Sequence, residues 1–443
     1  MTKNTAVEVA SISKADATKS IIIIAMLFFV FGFVTWINAI LIPYFKFACE
    51  LNNFEAYLVA FAFYISYLVM SLPASYLLKK GGFKNGMMIG FFIMSVGAFI
   101  FVPAAYFRSY PTFLAGLFTL GAGLAILQTA ANPYVTILGP KETAAKRFSI
   151  MGICNKLAGI IAPLLLAAVI LRKNDKQLFA EIITMNAIDK GIALDQLILR
   201  VIEPYIVVGI VLALLGFLVR FSPLPEINTD IEAEDVALTN AGKRNILQFP
   251  HLVLGAFAIF FHVGSQVIAV DTIINYANSM GISLAEAKVF PSYTLTATII
   301  GYILGISLIP KFISQLVALR VCTVLGIVLT FFIIYTNLQV SFLGHNANLS
   351  IWFVVLLGFA NSMIWAGIWP LALDGLGRFI KTGASLLIMG LCGNAILPLF
   401  YGHFADLYNM QTAYWVLLPC YLYLTFYAWY GFKMKRWSLT KLN

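Results

Sequence analysis

Two charged side chains stand where lipid should be. Lys156 lies inside the apolar stretch 148–171, and Asp271 lies inside the stretch 250–275. A charge at the centre of a bilayer costs at least ~2.5–3.5 kcal/mol, so each is read as facing a polar cavity. Lys156 is about nine residues from the nearer end of its stretch. That is ~14 Å at helical rise, a long reach for snorkelling to the interface. No other acidic or basic residue lies so deep. A carboxylate at such depth can take up and release a proton or another cation; the bland alternative is a static charge held by helix hydrogen bonds. An ammonium there can pair with that carboxylate, stand in for a coupling ion as a resident cation, or donate to a ligand hydroxyl.

The elements that must position these groups follow from composition. Of 443 residues, 61% are hydrophobic and 11% charged, with a mean hydropathy of +0.90. Soluble domains carry roughly a quarter charged residues, so the chain reads as an all-α polytopic membrane protein. The short alternating segments of a membrane barrel are absent. Apolar runs of about 17–25 residues each suffice to cross a bilayer. Twelve are counted: 21–44, 54–78, 86–106, 111–137, 147–171, 203–221, 250–275, 288–310, 315–335, 351–373, 382–404 and 411–431. The first twenty residues are polar and the run after them is too long for a signal peptide, so no cleavable signal is expected.

With the N-terminus in the cytoplasm, the inner segments hold 20 Lys and Arg and the outer ones 8. The positive-inside rule then puts both termini in the cytoplasm. The net charge of +10 is therefore a topology signal and calls for no nucleic acid. Two loops are long: 172–202, outside and partly helical, and 222–249, inside, with the acidic string IEAEDVA. The second divides a domain at 1–221 from a domain at 250–443, with 222–249 as a cytoplasmic linker.

The halves repeat. SIMGICNK (149–156) returns as LIMGLCGN (387–394), and FFVFGFVTWINAILI (28–42) as FFHVGSQVIAVDTII (260–274). NPYVTILGP (132–140) parallels WPLALDGLG (369–377), and Ala162-Pro163 parallels Leu397-Pro398. Two similar halves in one order are the mark of a parallel-repeat transporter. The repeat sets Asp271 opposite Ala39, Lys156 opposite Asn394, and Asn155 opposite Gly393. Gly152, Gly159, Pro163, Gly390 and Pro398 permit close helix contact and bends, which is ordinary for this class.

INAILIPYFK (37–46), LQTAANPYVTILGP (127–140), KRFSIMGICNK (146–156) and GLGRFIKTGASLLIMG (375–390) carry a resemblance over essentially the whole chain. It resembles the fucose:proton symporter (fucose permease) family of the major facilitator superfamily, most closely the glucose/galactose permease branch. LLKKGGFKNG (77–86) is similar to a degraded form of the superfamily's loop between spans two and three. The resemblance implies the major facilitator fold: twelve transmembrane helices in two pseudo-symmetric six-helix bundles, one rocking against the other around a central cavity. It also implies a monosaccharide carried with a cation. Two positions depart from the fucose permease pattern. Ala39 stands where that pattern has an Asp, and Gln128 where it has a Glu. Proton coupling is thus not inherited with the resemblance.

A sugar site needs planar amides for pairs of hydroxyls and an aromatic ring for the C–H face. The amides in the spans are Asn38, Gln128, Asn132, Asn155, Gln266, Asn275 and Asn361. The family motif favours Gln128 and Asn155. Trp36, Trp365 and Trp369 are stacking candidates. Buried amides also serve as glue between helices and tryptophans as interfacial anchors. Lys156 joins the substrate candidates as a donor, and Asp271 with Lys156 forms the coupling candidate. His262 has no partner histidine nearby and is not read as a metal ligand. The five cysteines show no metal or disulfide spacing.

The expected function is uptake of a monosaccharide, a hexose such as glucose or galactose first, across the cytoplasmic (inner) membrane. Alternating access would drive it, coupled to a proton ahead of sodium. The alternatives are a uniporter, a fucose or N-acetylhexosamine permease, an exporter of amphipathic compounds on the same fold, or an integral membrane enzyme. The last would need a catalytic cluster that four dispersed histidines and one deep acid do not supply. Expected partners are the sugar, a proton or sodium ion and the lipid bilayer; no cofactor and no metal is expected.

Overall fold

The computed structural model of the chain describes residues 14–437, except 38–40, 42–43, 46–47, 52, 138–140, 171–180, 182–184, 225–242 and 283. Helices dominate. In the first half they are α1 (Lys14–Trp36), α2 (Asn53–Tyr106), α3 (Tyr110–Ile137), α4 (Ala144–Ile170), α5 (Ala187–Leu199) and α6 (Ile202–Phe221). In the second they are α7 (Pro250–Asp271), α8 (Ile273–Ser279), α9 (Leu284–Ala287), α10 (Phe290–Leu308), α11 (Gln315–Tyr335), α12 (Ser350–Leu373), α13 (Ile380–Met389), α14 (Gly393–Leu407) and α15 (Leu417–Trp429).

Among the described residues, nine helical stretches are long and apolar enough to cross a membrane. One of them, Leu58–Tyr106, has 49 residues, or ~73 Å at helical rise, enough for two crossings of a core about 30 Å thick. It bends at Gly82, whose φ of 76° suits a residue without a Cβ. The 27-residue α4 is long enough for another crossing. The 3-10 turn Thr412–Val416 extends α15. Twelve crossings are consistent with this set. Large apolar side chains such as Met26, Leu72, Leu214, Ile300 and Val321 point outward, as expected where lipid is the solvent.

In the first bundle α1 packs on α4, and α2 packs on α3 and α6. In the second, α7 packs on α12, α13, α14 and α15, with α10 and α11 against α12. The bundles meet where α10 touches α4 and α13 touches α2 and α3.

The sequence repeat is a repeat of contacts. At Gly32 of α1 an added Cβ would strike the backbone of Asn155 in α4. At Gly264 of α7, the equivalent position, it would meet the Gly393 carbonyl of α14 at 2.9 Å. Small residues let both crossings come this close.

Three features differ from the expectations. Span eleven is interrupted: α13 ends at Met389, a 3-10 turn covers Gly390–Cys392, and α14 begins at Gly393. Two glycines within four residues weaken the α-helix there. Span seven is interrupted at Thr272: α7 ends at Asp271 and α8 resumes at Ile273, and Thr272 Oγ1 donates to the Ile268 carbonyl at 2.6 Å, the kind of side-chain bond that can bend a helix. A hairpin, β1 (Gln339–Phe342) with β2 (His345–Asn348), joins α11 to α12 where only a loop was expected. Its turn, Leu343–Gly344, has positive φ at both residues, the twist that suits a two-residue hairpin. The helical part expected in loop 172–202 is α5, capped by Asn186. The acidic string of the 222–249 loop lies outside the described residues.

Candidate functional site

A cavity of about 100 Å³ lies between the bundles. Lys156, on α4, lines it while remaining 5% exposed. Its Nζ donates to Gln266 Oε1 of α7 at 3.0 Å, a bond from one half to the other. The same Nζ sits 4.6 Å from the centroid of the Trp36 ring, within cation–π range. Asp271, the last residue of α7, is half-buried and does not line the cavity. No ion pair joins Lys156 and Asp271 among the described residues.

The amides divide into two groups. Gln128, Asn155 and Gln266 line the cavity. Gln128 Nε2 donates to Tyr67 Oη at 3.2 Å. Asn155 Oδ1 accepts from Trp36 Nε1 at 3.4 Å and Nδ2 donates to the Phe28 carbonyl at 3.3 Å. That amide therefore braces α4 against α1 as well as facing the cavity. Asn132, Asn361 and Asn275 are not among the lining residues. Asn132 Nδ2 donates to the Gln128 carbonyl one turn earlier, at 2.9 Å. Asn361 is buried and accepts from Tyr421 at 3.2 Å, an arrangement that ties α12 to α15. Asn275 lies on α8, beyond the end of α7, and is exposed. Asn38 lies outside the described residues. Of the tryptophans, Trp36 and Trp365 line the cavity, whereas Trp369 is fully buried behind Trp365, ring to ring at 5.5 Å.

Other lining residues were not singled out as substrate candidates from the sequence. Tyr64, Tyr67, Thr35 and Tyr302 contribute hydroxyls, and His262 and Asn394 contribute further polar atoms. His262 and Asn394 are both buried. Asn394 could have been found from the repeat, which sets it opposite Lys156. The tyrosines carry no such signal, because a tyrosine in a span is equally at home in packing.

Contacts between the halves bound the cavity at both ends. At the end where α1 and α7 finish, Trp36, Val270 and Leu295 form a small apolar cluster with Ile160 against it. At the other end the Phe148 ring lies 6.2 Å from that of Trp369, Gln315 Oε1 accepts from the Ala145 amide at 3.3 Å, and Lys381 sits 5.6 Å over the Phe83 ring. Neither set is covalent or large. Rocking of the bundles would open one while leaving the other.

The architecture recurs in known proteins. A glucose/galactose transporter of Brucella abortus biovar 1 (strain 9-941) is 33% identical over 413 residues, 93% of this chain and 93% of that one. The L-fucose-proton symporter of Escherichia coli (strain K12) is 28% identical over 417 residues, 92% of this chain and 91% of that one. The crystal structure of FucP, a Major Facilitator Superfamily transporter, in the outward conformation superposes with a TM-score of 0.76 at 26% identity, covering 93% of this chain and 98% of that one. The model of the Major Facilitator Superfamily matches residues 24–391. With its paired helical bundles, its cavity between them and this match over most of its length, the chain is a multi-pass membrane protein that belongs to the Major Facilitator Superfamily.

Proposed function

We propose that this protein is a secondary active transporter that takes up a monosaccharide, a hexose such as glucose or galactose first, by alternating access. The observation that carries the reading is the cavity between the bundles, where Lys156 of one half bonds Gln266 of the other. Amides and two indole rings surround that bond, the groups a pyranose requires. The relatives named as glucose/galactose transporter and L-fucose-proton symporter support the substrate class. Gln128, Asn155, Lys156, Gln266 and Trp365 are the substrate contacts of this reading; Asn38 of the motif INAIL remains with them. Asp271 is the titrating carboxylate and Lys156 its counter-charge, exchanging between Asp271, Gln266 and the sugar as the bundles rock.

The coupling ion of this reading is the proton, ahead of sodium, in keeping with the name of the fucose relative. The membrane is the inner membrane, with both termini in the cytoplasm, on the strength of the Lys and Arg distribution. The bundles are 1–221 and 250–443, linked by 222–249. Transport rather than enzymatic turnover is the activity. Uniport is the second reading, favoured by Ala39 and Gln128 at the two positions where the fucose permease pattern is acidic.

Proteoliposomes holding the purified protein, given labelled hexoses under an imposed proton gradient or sodium gradient, test all of this. Accumulation driven by the proton gradient and abolished by a protonophore is the expected result. Sodium-driven accumulation would reassign the ion, equilibration without accumulation would establish uniport, and no movement of any monosaccharide would overturn the proposal.

A further inference from the structure

Asn394 differs from the other amides of the cavity. Gln128, Asn155 and Gln266 each bond a protein group. Asn394 lines the cavity at 8% exposure, and its Oδ1 has no hydrogen-bond partner. A buried carbonyl oxygen left bare in an apolar bundle is costly, and native structures rarely carry one without a reason. Its place in the fold supplies the reason. Asn394 is the second residue of α14, directly after the 3-10 turn Gly390–Cys392, and repeats the position of Lys156 in the other half. The two residues line one cavity from opposite bundles.

We infer that Asn394 is a substrate-contacting residue of the second bundle. Its Oδ1 is sealed in this arrangement; as the bundles move, the carboxamide turns to the cavity, accepts one ring hydroxyl on Oδ1 and donates from Nδ2 to the adjacent hydroxyl, so it reads a vicinal diol. Lys156 and Gln128 engage the same sugar from the first bundle. Closure of the bundles on the sugar thereby completes the hydrogen bonding of an atom that lacks a protein partner. The inference rests on the monosaccharide reading and adds to it both a residue and a basis for selectivity.

Kinetics of uptake into proteoliposomes test it, comparing the unaltered protein with Asn394→Leu and Asn394→Ala. The substrates are the transported hexose and its monodeoxy analogues. Thermal stabilisation of each purified protein by the same sugars reports binding without transport; alanine fits wherever asparagine does. The expected result is an apparent affinity for the parent sugar weakened about tenfold or more in both variants, as for any site built to bond a hydroxyl. The unaltered protein discriminates against one or two adjacent monodeoxy analogues, and the variants no longer do. Variants that keep the affinity of the unaltered protein and its ranking of the deoxy sugars would overturn the inference while leaving sugar transport intact. Failure of the unaltered protein to move any hexose would instead remove the reading on which it rests.

Discussion

In the first half, α4 runs unbroken from Ala144 to Ile170 past α1. In the second, a 3-10 turn separates α13 from α14 where they pass α7. The backbone contacts at the two crossings correspond, Gly32 against Asn155 and Gly264 against Gly393. The side chains do not. Asn155 uses its amide to bind Trp36 and Phe28, while its counterpart is a glycine. Lys156 reaches across to Gln266, while its counterpart Asn394 holds an unbonded oxygen. The repeat has kept what sets helix geometry and released what sets chemistry. The first half presents a braced and charged wall. The second presents an uncharged amide on a helix whose interruption eases bending, since short 3-10 segments inside helices commonly mark hinges.

The sharpest way to break this comparison is at Asp271, the charge that the second half has and the first, with Ala39, lacks. Asp271→Asn should abolish accumulation of sugar against a gradient while preserving exchange of labelled for unlabelled sugar across the membrane. Undiminished accumulation would move coupling away from this carboxylate. Next in size is Lys156→Asn, which writes the second half's residue into the first. Losing a charged hydrogen bond of ~1.5–3 kcal/mol should slow initial uptake by roughly tenfold or more. A variant with the normal rate would show that the two positions are chemically interchangeable.

Much of this was legible in the sequence because membranes simplify the problem. Hydrophobic length alone set the spans, and α11 occupies the range 315–335 expected of span nine. Lys156 and Asp271 stood out because charge in lipid needs a cause. What stayed hidden depends on local competition or on orientation. The one-residue interruption at Thr272 leaves no mark in the apolar pattern of 250–275. The hairpin at 339–348 lies outside the membrane pattern, and nothing in span periodicity reports it. Among the amides, type and depth were visible but direction was not. Asn361 and Gln128 look alike in the sequence, yet one ties α12 to α15 and the other opens onto the cavity.

Smaller effects should appear in the crossings themselves. An alanine at Gly32 meets the Asn155 backbone in an unbroken helix, and one at Gly393 meets the Phe260 backbone beside a 3-10 turn. Overpacking of this kind typically costs ~1–3 kcal/mol. Gly32→Ala should lie toward the upper end and Gly393→Ala toward the lower, because the turn can relax. Thermal unfolding of both variants in detergent reads the difference, and equal losses would mean that the interruption gives no added compliance.

The smallest effect lies at the end of the molecule where α1 and α7 finish, and there too the halves differ. The second half joins its hairpin to α9 through His345 and Glu286, 2.6 Å apart. The first half fastens α5 through Lys190 to Glu50 and through Arg108 to Glu50 and Asp195. The hydrogen bond from Lys190 is the main influence holding the Glu50 carboxyl below its ordinary range, against slight burial that works the other way. A carboxyl depressed in the folded protein stabilises it above the unfolded value, near 4.3 for glutamate, and loses that contribution as pH falls through the lower folded value. Glu50 is half exposed, so the pair is worth about 0.2–1 kcal/mol. Lys190→Ala should therefore lower the unfolding temperature slightly at neutral pH, and the gap from the unaltered protein should close on acidification. A gap that persists once Glu50 is protonated would show that Lys190 acts through something other than this carboxyl, and no gap at any pH would leave α5 held by Leu194, Leu197 and Ile198, which are buried against the bundle.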